Sequence, residues 1–212
     1  MDTLDSRSLR PGDCIVIKFA APGKLRYLLS AGSHVRTKLE ATEGVSIEVK
    51  PTAGERFAAK HHTVRVKKQG NEYVPDVKDM SIEAGDTVLW HTTDPAIHGF
   101  AVGGSGEKHE FSSHLLANEA IYTHAFGLPG TYEWIDAVGK KLSGVVVVKP
   151  VNPKNDKERQ AWLDSLSKGA AFEIKGGKVT PEKLEIVVGQ TVFWKVWDSD
   201  GAAIVDKRLL PK

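Results

Sequence analysis

The sequence predicts an all-β protein made of two β-sandwiches joined by one short α-helix. Many Val, Ile and Thr residues occur in short runs between Gly and Pro, as is typical of strands separated by turns. The run from Val145 to Val148, bounded by Gly144 and Pro150, indicates a short buried strand. In addition, long segments of the chain resemble each other, and self-similarity of this kind outweighs any single motif.

The first internal similarity relates the N-terminal region to the middle of the chain. Residues 4–28 align without a gap with residues 111–135. The matched positions include Leu9 with Leu116, Phe19 with Phe126, Pro22 with Pro129 and Tyr27 with Trp134. The N-terminal region therefore resembles the later part of a sandwich, which we call a second half.

The other internal similarity relates the middle to the C-terminal region. Residues 80–100 align with residues 184–204, and Trp90 falls on Trp194. Both segments resemble the earlier part of a sandwich, a first half. The order along the chain is thus second half, complete sandwich, first half.

This order predicts a complete sandwich at 61–150 and a circularly permuted sandwich built from 1–51 and 171–212. The segments 52–60 and 151–170 are the expected linkers, the latter helical. Permutation at an exposed loop costs little. Alternatively, the two halves pair between neighbouring chains, head to tail, which would build a ring or fibre. The sequence leaves both arrangements open.

Each element has a local signal. Pro129-Gly130 is a turn because Pro fixes φ and Gly accepts positive φ. Tyr73-Val74-Pro75 predicts an edge strand or bend. The expected strands are Val45 to Pro51, Thr63 to Lys67, two strands within Met80 to Trp90 around Gly85, one ending at Phe126, Thr131 to Ile135 and Val145 to Val148.

The segment from Asn155 to Lys168 predicts the helix. Asn155 can cap it, and Glu158 follows at the spacing of a capping box. Gly169 can end it. The expected apolar face consists of Trp162, Leu163 and Leu166.

Composition limits the function. Lys plus Arg number 29 and Asp plus Glu 27, a net charge of +2 that argues against a nucleic-acid partner. The single cysteine, Cys14, excludes an internal disulfide and a cysteine-based zinc site. No stretch approaches the roughly 18 apolar residues of a membrane span. No signal peptide is visible in residues 1–20.

Two motifs carry a resemblance to a known family. The first is Gly85-Asp-Thr-Val-Leu-Trp-His-Thr-Thr-Asp-Pro-Ala-Ile-His98, and the second runs from His124 through Pro129-Gly130-Thr-Tyr-Glu-Trp to Pro150. Together they resemble the cupredoxin (plastocyanin/azurin-like) family. The resemblance implies Greek-key β-sandwiches and favours a periplasmic or extracellular location.

The same resemblance implies a type 1 copper site, whose ligands are one thiolate, two imidazoles and usually a thioether. His98 stands at the first histidine position. The cysteine, second histidine and methionine positions hold Asp136, Gly139 and Leu142. In the permuted sandwich, Leu29 occupies the cysteine position and Ala202 aligns with His98. His34 follows Leu29 at a spacing that resembles that of azurin. Both type 1 sites are therefore expected to be lost.

Another metal site remains conceivable from the residues alone. His98 and Asp136 are expected at the same end of one sandwich, and His109 and His114 lie in a nearby loop. Such a set would suit copper(II), zinc or nickel. The competing interpretations are a salt bridge for Asp136 and simple solvation for the loop histidines. His124 lies on the same side of its strand as Tyr122 and Phe126, so its side chain is expected inside the sandwich.

These observations predict a non-catalytic structural or protein-interaction module that recognises a protein partner or associates with itself. No nucleophile-elbow, phosphate-loop or zinc-protease motif occurs. The alternative is a copper-binding, copper-delivery or electron-transfer protein that uses His98 and neighbouring histidines. Trp162, Trp194 and Trp197 could form an aromatic binding patch, although the match of Trp194 to Trp90 favours a core position for it.

Overall fold

The computed structural model describes residues 2–40, 42–52, 54, 58–107, 109–139 and 141–211. Within these residues the protein is an all-β sandwich fold with one short α-helix, as predicted. Residues 53 and 55–57 of the predicted linker 52–60 lie outside the described part.

The described residues up to position 112 form nine strands. They are β1 (Asp13–Lys18), β2 (Gly23–Ala31), β3 (Val45–Lys50), β4 (His61–Gln69), β5 (Glu72–Pro75), β6 (Asp79–Glu83), β7 (Thr87–His91), β8 (Phe100–Gly106) and β9 (Glu110–Ser112). The predicted turn at Gly85 separates β6 from β7, and β5 is an outermost strand, as expected for the segment ending at Pro75.

The C-terminal region supplies the remaining described elements. They are β10 (Ala120–Ala125), β11 (Gly130–Asp136), β12 (Ser143–Lys149), α1 (Asp156–Leu166), β13 (Ala170–Lys175), β14 (Lys178–Thr180), β15 (Lys183–Val187), β16 (Thr191–Val196), β17 (Ile204–Asp206) and a 3₁₀ turn, Lys207–Leu209. Helix α1 is capped as predicted, since Asn155 Oδ1 accepts a 2.9 Å hydrogen bond from the amide of Glu158. It ends before Gly169, and Leu163 of its expected apolar face is 43% exposed.

The strands form three sheets. A central eight-stranded sheet has the order β14-β13-β16-β10-β1-β7-β4-β5. A five-stranded sheet, β6-β3-β2-β8-β9, covers one half of it, and a four-stranded sheet, β15-β12-β11-β17, covers the other. We call the first sandwich, around β1–β9, sandwich 1 and the second, around β10–β17, sandwich 2. They share the central sheet through the antiparallel pair β1–β10.

The halves pair differently from the predicted domains, 61–150 and 1–51 plus 171–212. Strands β1, β2 and β3 pair with β7, β8 and β6, so residues 1–51 complete the first half of the middle segment. Strands β10, β11 and β12 pair with β16, β17 and β15. Both sandwiches therefore run second half first, and all these pairs form within one chain. Loop-closure entropy favours this arrangement because each half joins the half next to it in sequence.

The two sandwiches also exchange a short segment. Residues before β1 reach across to β17, where the amide of Ser6 donates to the carbonyl of Ile204 (2.8 Å). At the matching place, the amide of Ser113 donates to the carbonyl of Val102 of β8 (2.8 Å). Both serine hydroxyls accept a 3.1 Å hydrogen bond in return, from the amides of Ile204 and Val102. The internal repeat is thus preserved down to single hydrogen bonds.

An aromatic cluster fills each sandwich. In sandwich 1 the ring of Trp90 lies 5.5 Å from those of Tyr27 and Phe111. In sandwich 2 the ring of Trp194 lies 5.3 Å from that of Tyr122 and 5.7 Å from that of Phe172. Burying such side chains drives folding at roughly 25 cal/mol per Å² of apolar surface. The predicted core position of Trp194 is confirmed, since this residue is fully buried.

Candidate functional site

The two residues expected at the centre of a metal site lie in different sandwiches. His98 lies in the connection between β7 and β8 of sandwich 1 and is exposed. Asp136 is the last residue of β11 in sandwich 2 and is buried. Their expected convergence assumed that 61–150 forms one sandwich, and the observed strand pairing removes that assumption.

Asp136 holds the backbone of the adjacent loops. Its Oδ1 accepts hydrogen bonds from the amide of Ala203 (2.8 Å) and from that of Val138 (3.2 Å). The side chain is only 3% exposed. This carboxylate therefore connects β11 to the segment before β17, where Ala202 is fully buried.

His109 and His114 each contact a backbone carbonyl of sandwich 1. The Nε2 atom of His109 lies 3.2 Å from the carbonyl oxygen of Ala21, and its ring packs edge-on against Phe19. The Nδ1 atom of His114 lies 3.2 Å from the carbonyl oxygen of Ser33. Both side chains are half-buried, so neither is simply a solvated loop residue.

The observed pairing brings a different set of histidines into sandwich 1. His34, which follows β2, lies with its ring centroid 5.4 Å from that of His114. His98 belongs to the same sandwich, because β2 pairs with β8 directly after it. Sequence reasoning missed this pair because it assigned residues 1–51 and 61–150 to separate sandwiches. No local signal in the sequence indicates this proximity, because it depends on the pairing of β2 with β8.

The donor set does not fit type 1 copper. Leu29, at the position where the resemblance implied a thiolate, packs against the hydrophobic core. Cys14 lies in β1, in the middle of the central sheet, beside Thr123 of β10. Burial raises the pKa of the Cys14 thiol, which favours its neutral form. Among the described residues, no group of three or more His, Cys, Asp or Glu side chains is arranged to hold a metal ion.

A buried polar network joins the two sandwiches. Asp13 Oδ1, at the start of β1, accepts a 2.9 Å hydrogen bond from the hydroxyl of Tyr122 and lies 2.6 Å from Nδ1 of His124. The Tyr122 hydroxyl also accepts a hydrogen bond from the amide of Asp5 (3.2 Å). Burial raises the pKa of Tyr122 well above its usual value, so the phenol is a stable donor. The predicted inward orientation of His124 is confirmed, as it is 7% exposed.

Sequence reasoning did not single out Asp13 because its counterpart in the repeat is Ala120. The available signal was the alternation of side chains along a strand, since Asp13, Ile15 and Ile17 fall on the same inward face of β1.

In the described part of the chain, no helix has the length and apolar character needed to cross a membrane. Comparison with known proteins identified no relative, since no protein-family model, no curated protein and no solved structure matches this chain.

Proposed function

We propose that this protein is a non-catalytic, cupredoxin-like module that has lost its type 1 copper site and binds a protein partner. The observation that carries the proposal is the chemistry at the two thiolate positions. One holds Leu29, packed on the core, and the other holds Asp136, which accepts two backbone hydrogen bonds. Neither residue supplies the soft sulfur ligand that holds copper in both oxidation states.

The architecture suits a rigid scaffold. One continuous sheet runs through both sandwiches, and the buried Asp13–His124 contact ties them together. Because each half pairs with another half of the same chain, no half needs a neighbouring chain to complete its sandwich, and head-to-tail assembly is not expected. We therefore expect a monomer that presents surfaces to another protein.

Unfolding and sedimentation measurements test this proposal. The protein is stripped with a chelator, and its unfolding free energy is compared with that of untreated protein and of protein given equimolar copper(II). We expect superimposable unfolding curves, no intense copper–thiolate absorption, and the sedimentation mass of one chain. A copper-dependent fold with that absorption, or a mass that rises with concentration, would contradict the proposal.

A second candidate function, metal binding without a thiolate, is favoured by the pair His34 and His114. Two imidazoles bound to one metal, with metal–nitrogen bonds of roughly 2.0–2.1 Å, place their ring centroids about 5 Å apart. The observed separation is 5.4 Å. The contact of His114 Nδ1 with the Ser33 carbonyl orients the ring and leaves Nε2 as the ligand atom, as in histidine metal sites.

Metal titration with matched variants separates the two candidates. Zinc(II) and copper(II) are titrated into wild type, His114→Ala and the control His61→Ala, an exposed histidine of β4. The second candidate predicts one-to-one binding that His114→Ala weakens by more than tenfold and the control leaves unchanged. The leading proposal predicts weak binding that does not distinguish the two variants.

A further inference from the structure

An open groove lies where three strands of the central sheet end. It is bordered by the end of β1, the connection before β10 and the end of β16, and has a volume of 420 Å³. This volume falls within the range of roughly 300–1,000 Å³ of small-ligand sites. Its lining residues are Lys18, Ala20, His109, Asn118, Glu119 and Trp197.

The internal repeat provides a control for each of these side chains. A side chain that plays the same structural role in both repeats has a similar counterpart, as Ser6 and Ser113 do. Lys18 falls on Ala125 and Trp197 on Thr93 in the two internal alignments, and His109 falls on Asp2 when the first alignment is extended at the same offset. These groove side chains are therefore particular to this place and do not belong to the interactions that both sandwiches repeat.

Trp197 supplies an exposed aromatic face. Its backbone is fixed, since its amide donates a 2.9 Å hydrogen bond to the carbonyl of Ile174. Its side chain nevertheless stays in contact with solvent, with 41% of the residue exposed, whereas Trp90, Trp134 and Trp194 are fully buried. A large indole on a fixed backbone is a ready stacking surface.

Asn118 and Glu119 adopt left-handed backbone, a conformation that asparagine enters readily and glutamate rarely does. Their φ angles are 51° and 69°. The counterpart of Glu119 is Gly12, which has a φ of 96°. The turn thus requires left-handed backbone, and glycine would satisfy it without strain. Retaining Glu119 at this position places a carboxylate at the groove, and such strain is typical of functional sites.

The charges of the groove compensate each other. Lys18 Nζ forms an ion pair with the carboxylate of Glu119. His109 is oriented by its contact with the Ala21 carbonyl and by the ring of Phe19. The groove therefore combines an aromatic surface with neighbouring hydrogen-bond donors and acceptors, without a net charge from the Lys18–Glu119 pair. This combination selects a neutral ligand with one flat apolar face and many hydroxyls.

We propose that this groove binds a neutral carbohydrate, with a pyranose ring stacked on Trp197. The axial C–H groups of a pyranose give it an apolar face that packs on an indole, as flat apolar surfaces do on aromatic rings. Its equatorial hydroxyls donate to Glu119 and accept from Lys18, while the side-chain amide of Asn118 can do both. Because the groove is open where these strands end, it accommodates a ring within an oligosaccharide chain.

Calorimetric titration and tryptophan fluorescence test the proposal on the full chain. The probes are soluble hexasaccharides of β-1,4-glucose, α-1,4-glucose, β-1,4-N-acetylglucosamine and β-1,4-mannose. We expect at least one to bind with a fluorescence change. Trp197→Ala should weaken that binding by roughly tenfold or more, equivalent to about 1.4 kcal/mol. The control Trp162→Phe, on α1, should bind like wild type.

A second variant guards against a folding artefact. Glu119→Gly restores the glycine of the other repeat, so the protein folds, but it removes the carboxylate. We expect weakened carbohydrate binding with an intact unfolding transition. The proposal is overturned if no hexasaccharide binds, or if binding survives unchanged in both Trp197→Ala and Glu119→Gly.

Discussion

Asp13 Oδ1 lies 2.6 Å from Nδ1 of His124, across the strand pair at which the two sandwiches become one sheet. Asp13 is 1% exposed and His124 7% exposed. The same carboxylate also accepts from the Tyr122 hydroxyl and, through Oδ2, from the amide of Arg10. A buried carboxylate with three partners is a polar joint in which each partner depends on the others.

Asp13→Asn is expected to destabilise the protein by roughly 2–3 kcal/mol, because the amide group leaves buried donors unsatisfied. Equilibrium denaturation in urea measures the loss. The matched control is Asp164→Asn on the exposed surface of α1, where a change within about 0.5 kcal/mol is expected. Equal unfolding curves for Asp13→Asn and wild type would show that the network does not stabilise the joint.

Ser6→Ala and Ser113→Ala are expected to cost about 1 kcal/mol each, since each leaves one buried amide without its serine acceptor. The two hydroxyls make equivalent 3.1 Å hydrogen bonds in opposite sandwiches. Their effects should therefore be similar and additive in the double variant. Urea denaturation of the three variants checks this. Strongly unequal losses would mean that the two exchanged segments are not equivalent.

Much of the fold was predictable from local patterns. The two strands around the turn at Gly85, the core position of Trp194 and the cap at Asn155 all follow from sequence patterns, and the structure confirms them. The partner of each half was not predictable in this way. Both second halves carry the same inward pattern, so residues 1–51 fit either first half equally well by sequence.

For the candidate site as well, the residue types could be predicted from the sequence, whereas their spatial neighbours could not. The absence of a thiolate at positions 29 and 136 could be read directly from the sequence. The residues that surround His34 depend on the long-range pairing of β2 with β8, so its proximity to His114 could not be predicted from the sequence. The strain at Glu119 was equally hidden, because a glutamate aligned with Gly12 gives no sign by itself that it keeps positive φ.

Glu119→Gly should stabilise the protein by about 1 kcal/mol, because glycine adopts left-handed backbone at little cost. The ion pair with Lys18 that is lost is exposed and contributes little. Thermal unfolding measures the change. The control Lys18→Ala removes the same ion pair without changing the backbone and should leave the unfolding temperature nearly unaltered. A destabilised Glu119→Gly would show that the turn is not strained.

His91 should make the protein less stable in mild acid. Burial, followed by the charge of Arg65, lowers the pKa of His91 below its usual value. The unfolded chain then binds a proton more readily than the folded protein, so stability is complete above about pH 6.5 and declines as the pH falls through the folded pKa. His91→Gln should remove this part of the pH dependence, whereas the control His61→Gln should not. The unfolding free energy measured from pH 7.5 to 5 tests this, and identical profiles for wild type and His91→Gln would refute it.

The pairing of the halves is the central structural claim, since it places His34 near His114 and closes each sandwich within the chain. Backbone nuclear Overhauser contacts in isotopically labelled protein test it most directly. We expect cross-strand contacts between Leu29 and Val102 and between Ile135 and Val205, which are paired residues of β2–β8 and β11–β17. Contacts of β11 with β8, and of β2 with β17, would instead establish 61–150 as one sandwich and contradict the account.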